Sequence, residues 1–219
     1  MNKIERLLED LCPNGVEYKS LGELGNFYGG LTGKSKADFQ EGNAIFISYK
    51  NVYSNPSLDL DPEDRVRIEL GEKQRTLEYG DVIFTGSSET PDECGISSVV
   101  TSVPSENLYL NSFCFIFRLN DKSILYPDFA KYLFRSSDLR KQISKTASGV
   151  TRFNVSKKLM GKVVIPLPPV KVQKEIADAL DELATMTNEL IEELQAEIEA
   201  RKKQYEYYSD TLLTFNKTE

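Results

Sequence analysis

The chain begins with apolar residues at Ile4, Leu7, Leu8 and Leu11, a helical spacing that Pro13-Asn14-Gly15 brings to a stop. From Tyr18 to Gly161 the pattern is mixed. Short β-favouring runs fall at Ala44–Tyr49, Val82–Thr85, Ile96–Val100 and Leu108–Leu119, separated by Gly, Pro, Asn and Asp. After Pro127, residues Phe129, Tyr132, Leu133, Leu139 and Ile143 share one helical face. Ser148-Gly149 ends that region, and Val163–Ile165 reads as a short closing strand. These elements predict the α+β class, an irregular mixed sheet with one or two helices.

Pro166, Pro168 and Pro169 then mark a boundary, because proline fixes φ, removes a donor and suits the first turn of a helix. From Val170 to about Phe215 there is no Pro and no Gly. Apolar or aromatic residues recur at Val172, Ile176, Ala179, Leu183, Met186, Leu190, Leu194, Ile198, Tyr205, Tyr208, Leu212 and Phe215. The steps alternate mostly between four and three, which is a coiled-coil seam, with a local departure between Leu190 and Ile198. Such a helix is roughly 65–70 Å long, too long to bury its stripe on one small domain, so it calls for a partner helix. The expected organisation is a globular domain over about 1–166 and a long helix over 167–219.

A chain of 219 residues holds one well-packed domain plus an appendage, or two small domains. No run approaches the ~18 apolar residues of a membrane span, and the first residues lack the apolar core of a secretion signal. Cys12, Cys94 and Cys114 form no C-x-x-C pair and the sequence has no histidine, so neither a metal site nor a cofactor is expected. A reducing, cytoplasmic setting is the simplest expectation. The net charge of -7 argues against nucleic acid until its distribution is considered. Between Asp138 and Glu175 there is no acidic residue, yet Arg140, Lys141, Lys145, Arg152, Lys157, Lys158, Lys162, Lys171 and Lys174 all lie there. The acids sit elsewhere, between Asp61 and Glu93 and in the long helix.

Enzymatic patterns fail one after another. Gly29-Gly30-Leu31-Thr32-Gly33-Lys34-Ser35 resembles a phosphate loop, but Tyr28 occupies the position of the required first glycine. Without histidine, Ser-His-Asp and Cys-His arrangements are impossible. Pro168-Pro169 is flanked by Leu167 and Val170, which cannot hold a base for methylation. No D/E-x-K element follows Pro91-Asp92 or Pro127-Asp128. A binding protein is what remains. Thr32, Lys34 and Lys36 lie in or beside a glycine loop able to approach a phosphate backbone. Tyr49, Lys50, Arg152 and Asn154 interleave aromatic, basic and amide side chains of the kinds that read base edges, which Ser87 can assist. Lys157 and Lys158 are the expected phosphate contacts. A scaffold that recruits partners through its helix, without reading DNA, is the alternative.

At this point the chain resembles a known family. Leu11-Cys12-Pro13-Asn14-Gly15-Val16-Glu17-Tyr18 through Leu24 is similar to the opening of recognition domains in the specificity subunits of type I restriction–modification systems. Gly80-Asp81-Val82-Ile83-Phe84-Thr85 resembles their central strand. Ser148 to Ser156, then Val164-Ile165-Pro166-Leu167-Pro168-Pro169 and Gln173-Lys174-Glu175-Ile176, resembles the junction of recognition domain and helix. The resemblance implies a non-catalytic subunit that binds double-stranded DNA and gives specificity to methyltransferase (modification) subunits and, through them, to a restriction subunit. The family's usual subunit carries two recognition domains and two antiparallel helices in about twice this length. One of each here implies a half-subunit, whether a homodimer, one half of an unlike pair, or a truncated remnant. As a homodimer it would pair through Ile176, Leu183, Leu190, Leu194, Ile198, Tyr205 and Leu212 and read a split palindrome.

Overall fold

The computed structural model describes residues 3–215, with side chains from Glu5 onward; the side chain of Ile4 in the first apolar stripe and residues 216–219 of the expected helical segment fall outside the described part. The chain forms two compact units that divide between Ala177 and Asp178.

The first unit is organised by a four-stranded antiparallel sheet in the order Gly25–Gly29, Cys114–Leu119, Val82–Thr85, Ser97–Val99. Successive side chains of a strand point to opposite faces. Val82, Phe84, Phe115 and Phe117 therefore pack on one side with Phe129, Leu133, Leu139 and Ile143 of the helices Pro127–Leu133 and Ser137–Ser144. Ile83, Cys114 and Ile116 face the other way, towards Ile45, Ile47, Val52, Leu108 and Leu110. A sheet covered on both sides requires near-continuous apolar strands, and Val82–Thr85 is buried along its whole length. Each fully buried Phe, Ile or Leu contributes about 1.5–3 kcal/mol.

Asp81, just before this strand, is a fully buried carboxylate. It is held by a two-pronged pair from Arg118, Nε to Oδ1 at 2.7 Å and NH2 to Oδ2 at 2.6 Å, and by the Glu78 amide at 2.8 Å. That is the physical content of the Gly80-Asp81-Val82 run: Gly80 has φ +84°, and the next residue anchors two segments. Around the central sheet lie a three-stranded sheet of Arg65–Val66, Ala44–Ile47 and Leu108–Leu110, and another of Ala147–Gly149, Phe153–Val155 and Ser87–Ser88. Glu17–Ser20 and Val164–Leu167 close the unit as an antiparallel pair.

The α+β class holds, with several local departures from the expected elements. The run from Ala44 leaves the strand at Ile47, because Ser48 accepts a hydrogen bond from the Asn51 amide and starts the helix Tyr49–Ser54. Leu108–Leu119 is two strands, not one. Asn111 breaks it, its Oδ1 accepting from the Phe113 amide at 2.9 Å and its Nδ2 donating to the Ile47 carbonyl at 3.1 Å. The expected single helix after Pro127 is two, since Ser136 takes up extended backbone and opens the second.

The long helix runs from Val170 to Leu213, 44 residues, two short of the expected end. The Pro169 carbonyl accepts from the amides of Val172 and Gln173, so the proline run does start the helix. The compact unit nevertheless continues beyond the expected 166/167 division, because Val172, Gln173 and Ala177 are buried in it and Ile176 packs on its core. In the second unit Leu183, Leu190, Leu194, Ile198, Tyr205 and Leu212 are all exposed. Among the described residues no helix is long and apolar enough to cross a membrane.

Candidate nucleic-acid interface

Segments far apart in sequence line one open cavity of about 440 Å³: Tyr49, Lys50 and Tyr53; Ser87, Ser88, Glu89 and Glu93; Phe113; and Arg152. The helix begun by Ser48 sets Tyr49 and Tyr53 one turn apart, their rings stacked at 6.1 Å. The Tyr49 hydroxyl donates to the Ser87 carbonyl at 3.0 Å, and burial raises its pKa. The Tyr53 hydroxyl donates to Glu93 Oε1 at 3.1 Å, and that bond raises its own.

Ser87–Ser88 pairs with Phe153 and Asn154, which brings Arg152 to the rim. Arg152 Nε donates to Ser87 Oγ at 3.0 Å, and the guanidinium carbon lies 5.8 Å from the centre of the Phe113 ring. Phe113 itself is 60% exposed, lifted out by the Asn111 turn. Gly86 permits this approach: a Cβ there would sit 2.7 Å from the Phe113 carbonyl oxygen. Glu93 accepts hydroxyls from Thr90, Tyr53 and Ser88, which lower its pKa and keep it ionised.

Along the same stretch of chain Asn154 is exposed, and so are Lys157 and Lys158 on the short helix Lys157–Met160, which Ser156 caps. The Lys157 ammonium stands 5.5 Å over the Phe115 ring, and a Cβ on Gly29 would lie 4.0 Å from it.

Of the DNA-contact residues expected from the sequence, Tyr49, Lys50, Ser87 and Arg152 thus share one cavity, with Asn154, Lys157 and Lys158 following directly in sequence. Thr32 and Lys34 lie on a loop tied to another element, and Lys36 opens the short 3-10 helix Lys36–Phe39. Gln74 exchanges hydrogen bonds with the backbone of Thr32, and the Lys34 ammonium is 2.5 Å from Glu72 with only 8% of its side chain exposed. Lys34, Gln74 and the Glu69 amide together hold the Glu72 carboxyl down to about 2. Lys34 is therefore an internal ion pair rather than a free phosphate contact, while Lys36 is exposed. The close approach made by the glycine loop at Gly30 is to the protein itself, because a Cβ there would lie 2.0 Å from the Asn111 carbonyl oxygen. That glycine lets two segments of the protein touch.

The acid-free segment is similarly divided. Arg140 donates to the carbonyls of Gly95, Asp92 and Cys94, a structural clamp, and burial lowers its pKa. The Lys174 ammonium lies 5.4 Å from the centre of the Tyr126 ring. Sequence reasoning missed Tyr53, Ser88, Glu89, Glu93 and Phe113. The four-residue spacing of Tyr49 and Tyr53 carries a signal only once that segment is read as helix.

Comparison with known proteins agrees with this architecture. The chain is 33% identical over 217 residues to the EcoR124I/EcoR124II specificity subunit of Escherichia coli, a type I restriction enzyme component; the match takes in 93% of this chain and spans about half, 50%, of the relative's length. A solved chain from a study of complex assembly and conformational transition in the type I R-M system superposes with TM-score 0.58 at 24% identity, covering 93% of this chain and 48% of that one. The HsdS subunit from Thermoanaerobacter tengcongensis superposes with TM-score 0.53 at 21% identity, covering 84% and 42%. Residues 13–200 match the family described as the type I restriction modification DNA specificity domain, and the chain belongs to that family.

Proposed function

We propose that this chain is the DNA-reading half of a type I specificity subunit. It binds double-stranded DNA and contributes no catalysis of its own. Lys157, Lys158 and Lys50 neutralise phosphates and set position, while Arg152, Asn154 and the cavity beside them read base edges. Two copies pair through the exposed seam of the long helix and address two inverted half-sites separated by an unread spacer. Methyltransferase subunits, and through them a restriction subunit, take their target from it.

The observation that carries this reading is the convergence of Tyr49, Lys50, Ser87 and Arg152 on one open cavity, in a family of DNA specificity domains. A protein of net charge -7 with Lys50 lining such a cavity, and exposed Lys157 and Lys158 following Arg152 closely in sequence, is suited to local rather than general attraction for nucleic acid. Gel shifts over a range of salt concentrations test it. Replacing Lys157 and Lys158 together with Ala should weaken binding to all sequences and flatten the salt dependence by about one to two units of slope. Arg152→Ala or Asn154→Ala should instead cost about 1–3 kcal/mol on the preferred sequence only. Wild-type protein that binds no DNA at low salt, as the scaffold alternative requires, would refute the proposal.

A further inference from the structure

We infer that the cavity reads a guanine–cytosine pair, with Arg152 on the guanine and Glu93 on the cytosine; this rests on the DNA-recognition reading above. Arg152 Nε is fixed by Ser87 Oγ at 3.0 Å, so the two terminal nitrogens form the outward end of the guanidinium. Neither has a protein acceptor among the described residues. Two parallel donors on a rigid plane fit the adjacent O6 and N7 acceptors of guanine in the major groove.

Glu93 supplies the complementary group. Ser88 and Thr90 both donate to Oε2 and Tyr53 to Oε1, so the carboxylate is oriented by three hydroxyls and Oε1 retains a site for one more donor. Cytosine offers one, its N4 amine, in the same groove. Adjacent serines thus prepare both halves of the reader, Ser87 holding the donor and Ser88 the acceptor. An adenine–thymine pair fits poorly, since its N6 amine would oppose an arginine donor.

The test is selection of bound sequences from a random duplex library by the full chain at low salt, repeated with Arg152→Ala and Glu93→Gln. Wild type should return a motif with a fixed guanine–cytosine pair. Arg152→Ala should lose preference at that pair and bind the motif about tenfold or more weakly. Glu93→Gln should relax the same pair and no other, with the salt slope unchanged. Placing 7-deazaguanine at that guanine removes N7, and should weaken wild type but not Arg152→Ala. Arg152 is exposed, so its variant should keep the wild-type melting temperature; if it does not, the 7-deazaguanine comparison on wild type alone decides. A motif whose pairs all survive Arg152→Ala, variants that relax different pairs, or indifference of wild type to 7-deazaguanine would each overturn the assignment while leaving DNA recognition intact. Failure of wild type to select any motif would overturn the recognition reading and this assignment with it.

Discussion

Gln173 provides the sharpest test of how the recognition unit is held together. Its side chain is fully buried in the second turn of the long helix. Oε1 accepts from the Tyr126 amide at 2.7 Å, and Nε2 donates to the carbonyls of Ile124 and Pro168, each at 2.8 Å. One amide thereby satisfies backbone groups of the loop before the helix Pro127–Leu133 and of the proline junction. Gln173→Leu has similar volume but withdraws all three partners at once. At about 1–3 kcal/mol for each buried group left unpaired, less whatever local relaxation recovers, the change should cost about 3–6 kcal/mol. That is a large share of a typical total stability of about 5–15 kcal/mol. Urea unfolding followed by circular dichroism reads it directly: with a slope of about 1–3 kcal/mol per M, the midpoint should fall by about 1 M or more. The exposed neighbour Lys171→Ala is the control and should stay within about 0.5 kcal/mol of wild type. A Gln173→Leu protein less than about 1 kcal/mol below wild type would refute the reasoning, since the buried groups would then not depend on the amide.

Arg140→Ala should lower stability by about 2–3 kcal/mol, because it removes charged hydrogen bonds to three carbonyls, yet leave the salt slope of DNA binding unchanged; thermal melts and gel shifts on one preparation check both. The Glu72 carboxyl is depressed in the folded protein from an ordinary value near 4.5 to about 2, so its contribution is complete above pH 4.5 and is lost as the pH falls towards 2. Protection of the Thr32 amide from hydrogen exchange, taken relative to the intrinsic rate of an unfolded chain at each pH, should fall over that window, and Lys34→Met should abolish most of the pH dependence. Asp introduced at both Leu183 and Leu194 should leave monomers by light scattering, since a carboxylate buried in a helix seam lacks a partner; a dimer untouched by the pair of changes would exclude this seam as the interface.

The parts of the fold that the sequence disclosed are those governed by short-range rules. Val82–Thr85 is legible because a strand covered on both faces must be continuously apolar, and the long helix because nothing in it breaks the pattern. Strands such as Ser87–Ser88 were invisible, being two residues long and paired with a segment some sixty-five positions away. The same distance explains the candidate site. Arg152 and Tyr49 were recognisable as residue types, but their meeting depends on Ser87, through its hydroxyl for one and its carbonyl for the other. Phe113 was hidden inside an apolar run that only the Asn111 turn interrupts. Lys34 misled because its partner Glu72 lies on another element, and charge pairing of that kind leaves no local trace.

The exposed seam also constrains how two copies could meet. Leu183, Leu190, Leu194 and Ile198 are each about half exposed, so completing their burial yields roughly 1 kcal/mol apiece, or about 8 kcal/mol for two chains. Association itself costs about 4–15 kcal/mol, so these four positions alone are marginal and the contact must extend to Tyr205 and Leu212. An antiparallel register that sets Leu183 opposite Leu212 also sets Leu190 opposite Tyr205. It places Glu192 opposite Lys203 and Glu193 opposite Lys202, whereas a parallel register in step aligns acids with acids. The twofold axis of that arrangement passes beside Ile198. A single cysteine at Ile198 should therefore cross-link the two copies under mild oxidation, because its symmetry mate is its near neighbour, while one at Leu183 should not, because its mate lies at the far end of the pair. Non-reducing electrophoresis distinguishes the outcomes against the wild-type background of Cys12, Cys94 and Cys114. Cross-linking at both positions would indicate a parallel pair in step, whose twofold axis runs along the helices, and would rule out the antiparallel register argued here.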